Sequence, residues 1–148
     1  MTLDYTTPGV LKIDMTEYVK SMIEEFPQKV QGRNATPWTE NLFKVDANAK
    51  RLGHERKETF HTFVMKGMFL CKRRRPDMQL AIVFLSTRCQ DPNENYWNKL
   101  IRLMSYLKDT IDDILILEAD NTQTVSWCVD AAFAVYKDMK SQTGAVMT

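Results

Sequence analysis

At 148 residues the chain is long enough for one domain that buries roughly 70% of its unfolded surface, and 44% hydrophobic with 26% charged residues excludes a disordered polymer. No unbroken apolar run is longer than that of Leu80–Leu85, which is too short to span a bilayer, and the opening MTLDYTTPGV carries neither the basic start nor the apolar core of a secretory signal. The net charge of +1 conceals an asymmetry, −1 over residues 1–50, +6 over 51–110 and −4 over 111–148, so the basic middle is expected to face a polyanion.

In chain order, LDYTTPGVLKID (3–14) predicts a β-hairpin turning at Pro8-Gly9. A helix follows over 14–26, with Asp14 and Glu17 spaced as a capping box, Ile13 stapled onto Tyr18, and Met15, Tyr18, Val19, Met22, Ile23 and Phe26 on one face. Pro27 ends it, and residues 28–53 read as a long loop that is functional, flexible or a junction between units. A second helix is expected over 54–72, where Phe60, Phe63, Val64, Gly67 and Cys71 share a face, and a third over 75–88, starting at Pro76. The fourth, 91–108, has Asp91 as its expected cap, Pro92 in its first turn, and Trp97, Leu100, Ile101, Met104 and Leu107 toward the core. After Lys108 the rhythm becomes alternating, and ILILE (114–118), TVSWCVDAAFAVY (124–136) and TGAVMT (143–148) predict three strands.

Several residues could carry chemistry. Cys71, Cys89 and Cys128 have no metal-type spacing and read as reduced thiols of an intracellular protein, cytoplasmic or nuclear. His54 and His61, seven positions apart, stand about 10 Å from one another on a helix, too far to share a metal. The adjacent Asp112 and Asp113 imitate a polymerase carboxylate pair, but their place in a short connector favours a solvated acidic turn. The run Lys72-Arg73-Arg74-Arg75 reads either as a solvated bend between helices or as a phosphate contact. Asp130, alone in an apolar strand, is costly to bury as a charge unless it is paired or holds a metal; edge-strand or partner-pairing roles remain open beside the metal role.

Three stretches, 3–26, 63–110 and 126–147, resemble consecutive pieces of the polyprotein of copia-type long-terminal-repeat retrotransposons. The most specific elements are Arg75-Pro76-Asp77 opening a helix, then Pro92, Trp97 and LIRLMSYLKDT (100–110), and the strand Val129-Asp130-Ala131 followed by Ser141-Gln142-Thr143-Gly144. The family has Lys-Gly-Thr where this chain has Lys108-Asp109-Thr110. In that family a reverse transcriptase is followed directly by ribonuclease H. The resemblance therefore implies that residues 1–27 are a palm-end hairpin and helix, 28–53 a loop, 54–110 a thumb-like helical unit that grips template–primer, and 111–148 the start of a ribonuclease H β unit. It also implies that Asp130 is the first of several carboxylates holding magnesium ions that activate water. The other carboxylates of that site, and the polymerase's own aspartates, are not among these residues, so no cofactor and no catalysis are expected of this fragment alone.

The resulting expectation is an α+β chain: an N-terminal hairpin and helix, a thumb-like helical unit, and C-terminal antiparallel strands of an incomplete ribonuclease H-like unit. An RNA–DNA or DNA duplex would be bound through Lys66, Lys72, Arg73, Arg74, Arg75, Lys99 and Arg102, with no membrane contact and with self-association through the C-terminal strands. The alternatives are an inert protein-interaction module pairing through those strands, and a nuclease completed by a partner.

Overall fold

The computed structural model describes residues 1–30, 33–119, 124–134 and 141–147. The fold is α+β, as expected, and it divides into two units, Met1–Leu117 and Glu118–Thr148.

The first unit opens with β1 (Thr2–Asp4) and β2 (Val10–Asp14), antiparallel and in register from Thr2 opposite Asp14 to Asp4 opposite Lys12. Asp4 accepts from the Thr6 amide and hydroxyl at 2.9 and 2.6 Å, and Gly9 takes φ 78°, a left-handed conformation that glycine adopts without steric penalty. The other edge of β2 carries β3 (Leu115–Glu118). The strand that the sequence assigned to the C-terminal β unit thus completes the N-terminal sheet, giving the hairpin the third strand that an isolated pair needs for stability in water.

Helix α1 (Thr16–Glu24) follows. Asp14 caps the approach by accepting from the Thr16 amide and hydroxyl at 2.7 and 2.6 Å, and these bonds hold its carboxyl below the usual range. The expected capping box is not formed: the N-cap position falls to Met15, Asp14 bonds to Thr16 rather than to the Glu17 amide, and Glu17 pairs with Lys20 one turn on. The predicted apolar face is the one buried, through Met15, Val19 and Met22, with Phe26 just beyond the helix. Phe26 sits between Phe63 (edge-on, 4.9 Å) and Trp97 (stacked, 5.6 Å).

Helix α2 (His54–Cys71) buries Phe60, Phe63, Val64, Gly67, Leu70 and Cys71. A side chain at Gly67 would bring its Cβ within 2.5 Å of Ile82 Cδ1, so the missing side chain sets how closely α2 meets α3 (Gln79–Ser86). Pro76 opens a single 3-10 turn, Pro76–Met78, and α3 begins only after it, three residues later than the predicted start at Pro76. Helix α4 (Glu94–Asp109) is capped by Asn93, whose Oδ1 accepts from the Tyr96 amide at 3.1 Å. Asp91, the expected cap, lies too far upstream and pairs with Arg51 at 3.1 Å instead. At the other end Thr110 closes the helix through its hydroxyl, which donates to the Tyr106 carbonyl at 2.7 Å, so no left-handed glycine is required there.

The 28–53 segment has no helix or extended strand among its described residues, yet these residues are packed along α4. Val30, Pro37 and Leu42 are buried, Gln28 accepts from the Trp97 indole at 3.0 Å, and the Asn34 amide donates to Asp109 at 2.8 Å. Its far end is pinned to the start of α4 by Leu52 N–H to Pro92 O (3.0 Å) and Glu94 N–H to Lys50 O (2.9 Å).

The second unit contains β4 (Trp127–Ala132) and β5 (Gln142–Met147), antiparallel, with Trp127 opposite Met147 and Asp130 opposite Gly144. Val135, Tyr136 and Thr148, which the sequence placed in these strands, lie outside the described residues. Trp127, Val129, Phe133, Val146 and Met147 are all exposed. No helix among the described residues is long and apolar enough to cross a membrane.

Candidate nucleic-acid interface

The cationic run Lys72–Arg75 is not one surface. As α2 ends, the amides of Arg73, Arg74 and Arg75 all turn back to the Leu70 carbonyl, at 3.2, 2.9 and 3.2 Å. That tight bend sends successive side chains in different directions. Lys72 and Arg73 are exposed, whereas Arg74 and Arg75 are 1% and 2% exposed. The expectation that Arg74 and Arg75 meet phosphate gives way to a different role.

Arg75 grips Asp77 with two parallel bonds, Nε to Oδ1 at 3.0 Å and Nη2 to Oδ2 at 2.8 Å, and donates through Nη1 to the Thr110 carbonyl at 2.9 Å. The Tyr106 hydroxyl donates to Asp77 Oδ2 at 2.7 Å. Arg74 donates to the Ile111 carbonyl at 3.0 Å and lies 3.7 Å from the Asp14 carboxylate. Both guanidiniums therefore serve carbonyls just past the C-terminus of α4, where the helix leaves acceptors unpaired and its dipole favours positive charge. Burial lowers the Arg74 pKa. Burial also opposes ionisation of Arg75 and Asp77, but their mutual bonds outweigh it, so Arg75 is raised and Asp77 lowered. This clasp walls a cavity of about 530 Å³ that also touches Asp112, Asp113 and Ile114. The two aspartates are exposed, in the turn that follows α4.

The outward cations of α2 form a second arrangement. Arg73 lies over the Phe69 ring, 3.7 Å from its centroid, and donates to the Phe69 carbonyl at 3.3 Å. Tyr18 of α1 meets the same ring at 5.4 Å, and Phe69 is 42% exposed. Lys66, half-buried one turn before, pairs with Glu25. Sequence reading passed over Phe69, although a signal was present: it falls off the apolar stripe of α2 and precedes Arg73 by four residues.

Lys99 and Arg102 belong to neither arrangement. Both turn toward the 28–53 segment, Lys99 donating to the Lys44 carbonyl and Arg102 to Thr36 Oγ1 at 3.1 Å. Lys99 also sits 5.0 Å from the Phe84 ring centroid and 5.6 Å from that of Tyr96. Burial, with Arg88 close by, pushes its amine down to about 8.

Asp130 is exposed on β4. Among the described residues no three His, Cys, Asp or Glu side chains gather in a way that could hold a metal ion. One carboxylate does not fit a two-metal centre. No family model, curated protein or solved structure matches the chain. The resemblance to copia-type elements rests on the quoted sequence elements alone.

Proposed function

We propose that this chain belongs to the reverse transcriptase–ribonuclease H region of a copia-type retrotransposon polyprotein, acting inside the cell, and that its helical unit contacts the RNA–DNA or DNA duplex of the template–primer without catalysing either reaction alone. The observation that carries the reading is the pair of exposed cations, Lys72 and Arg73, ending α2 within a segment of net charge +6. Such groups displace counterions from a phosphate backbone, so affinity falls with salt, by about 0.9 in log–log slope per contact. Replacing Lys72 and Arg73 by Ala is expected to weaken duplex binding in a fluorescence-anisotropy titration and to flatten the salt slope by about 1.8. An unchanged affinity, or binding indifferent to salt, refutes the reading. Primer extension and hybrid cleavage with magnesium present should both be absent; turnover abolished by Asp130→Ala would restore the nuclease alternative.

The exposed side chains of β4 and β5 favour a second reading, an interaction module in which these strands pair with another chain. Under that reading, amide exchange in 127–132 and 142–147 slows as protein concentration rises, while duplex affinity is negligible.

A further inference from the structure

Around Phe69 the surface of α2 is layered rather than merely basic. Phe69 and Met65 stand one turn apart, both partly exposed, and Tyr18 supports the Phe69 ring from α1. Arg73, one turn later, lays its guanidinium on that ring at 3.7 Å. Arg73 is itself exposed, which leaves the other face of a flat, delocalised cation toward water, and Lys72 is exposed beside it. A planar guanidinium backed by an aromatic ring differs from a lysine's point charge: it offers a surface on which another flat π system can lie. Duplex DNA cannot use that surface, because its bases are already stacked on one another, whereas an unpaired base has a free face.

We propose that Phe69 and Arg73 form a stacking platform for an unpaired nucleobase, with Lys72 meeting the adjoining phosphate. The natural ligand class is therefore single-stranded nucleic acid, such as an overhang beside a duplex. This rests on the nucleic-acid reading above and deepens it by assigning a base-contacting role that charge alone does not supply. An acidic peptide would also be drawn to Lys72 and Arg73, and its carboxylates would pair with the planar guanidinium, but it would be indifferent to the ring.

The test compares two single-stranded oligonucleotides of equal length and charge, one bearing bases and one abasic, on the full chain and on Phe69→Leu and Arg73→Lys. The wild type is expected to prefer the base-bearing strand roughly tenfold per stacked base. Each variant should lose that preference, with a smaller change on the abasic strand than on the base-bearing one, because both keep the net charge. Arg73→Lys, a surface change, keeps the test valid if Phe69→Leu misfolds. Equal wild-type affinity for the two strands, or a variant loss shared equally by both, overturns the platform. Displacement of either strand by poly-glutamate, with equal efficiency on wild type and Phe69→Leu, overturns it in favour of an acidic-peptide surface. Salt-dependent duplex binding without base preference removes only the platform; no binding to any nucleic acid removes the proposed function as well.

Discussion

Lys72 and Arg73 share with Arg74 and Arg75 the same formal charge and adjoining places in the chain, yet their environments are opposite. The first two stand in water at the end of α2, and the last two are sealed against the end of α4. Charge type does not account for the difference; the direction of the bend and the acceptors it meets do. Arg75 finds a carboxylate two residues on and a carbonyl at Thr110. Lys72 and Arg73 find only the surface of their own helix and solvent. A count of cations in a sequence window therefore overstates the charge available to a polyanion, here by a factor of two within four residues.

Substitutions separate the pairs. Arg75→Ala leaves Asp77 partly buried with only the Tyr106 hydroxyl against it and takes from the Thr110 carbonyl one of its two donors, the Asp113 amide remaining at 3.2 Å, and it should lower the urea-unfolding free energy by about 3 kcal/mol. That is the low end for breaking a buried pair, chosen because the Asp77 side chain is 38% exposed. Tyr106→Phe removes one charge-assisted bond to Asp77 and should cost about 1.5 kcal/mol in the same assay. Acid titration reads the same clasp. The folded-state pKa of Asp77 is lowered, so its contribution is complete above the unfolded value near 3.9. It is lost as pH falls through the lower folded value. The stability gap between wild type and Asp77→Asn should therefore be constant from pH 7 to 5 and close below about 3.9; a gap that widens on acidification contradicts the clasp. Lys72→Ala with Arg73→Ala should move stability least, by no more than about 0.5 kcal/mol for each surface change. A larger loss would mean that the outward pair also holds the fold.

Much of the helical architecture was legible in the sequence because it is written locally. The spacing of Val19, Met22 and Phe26, and of Trp97, Leu100, Met104 and Leu107, gives the buried faces directly. What could not be read depends on residues far apart in the chain. Asp91 and Asn93 are equally good caps by composition, and the choice was made by where α4 begins after its backbone pairs with Lys50 and Leu52. The alternation of 114–118 announces a strand but not which sheet receives it, and β2 had an edge to fill. Phosphate contact and carbonyl capping ask for the same arginines, so Arg74 and Arg75 could not be assigned until the acceptors at 110 and 111 were in place. Phe69 escapes a sequence reading for a simpler reason: it lies off the apolar stripe of α2, and spacing alone does not separate a surface aromatic from one at the edge of a core.

The central position of β2 bears on the order of events during synthesis. Its first edge is filled within a few residues, by β1, but its second waits for β3, about a hundred residues later. Arg74, too, meets its carbonyl partner only when Ile111 has been made. Closing a loop of that length is slow relative to forming the helices inside it. A nascent chain emerging from the ribosome can therefore form α1 and α2 early, but the sheet and the arginine clasp close together and late, once the residues after α4 have cleared the exit tunnel.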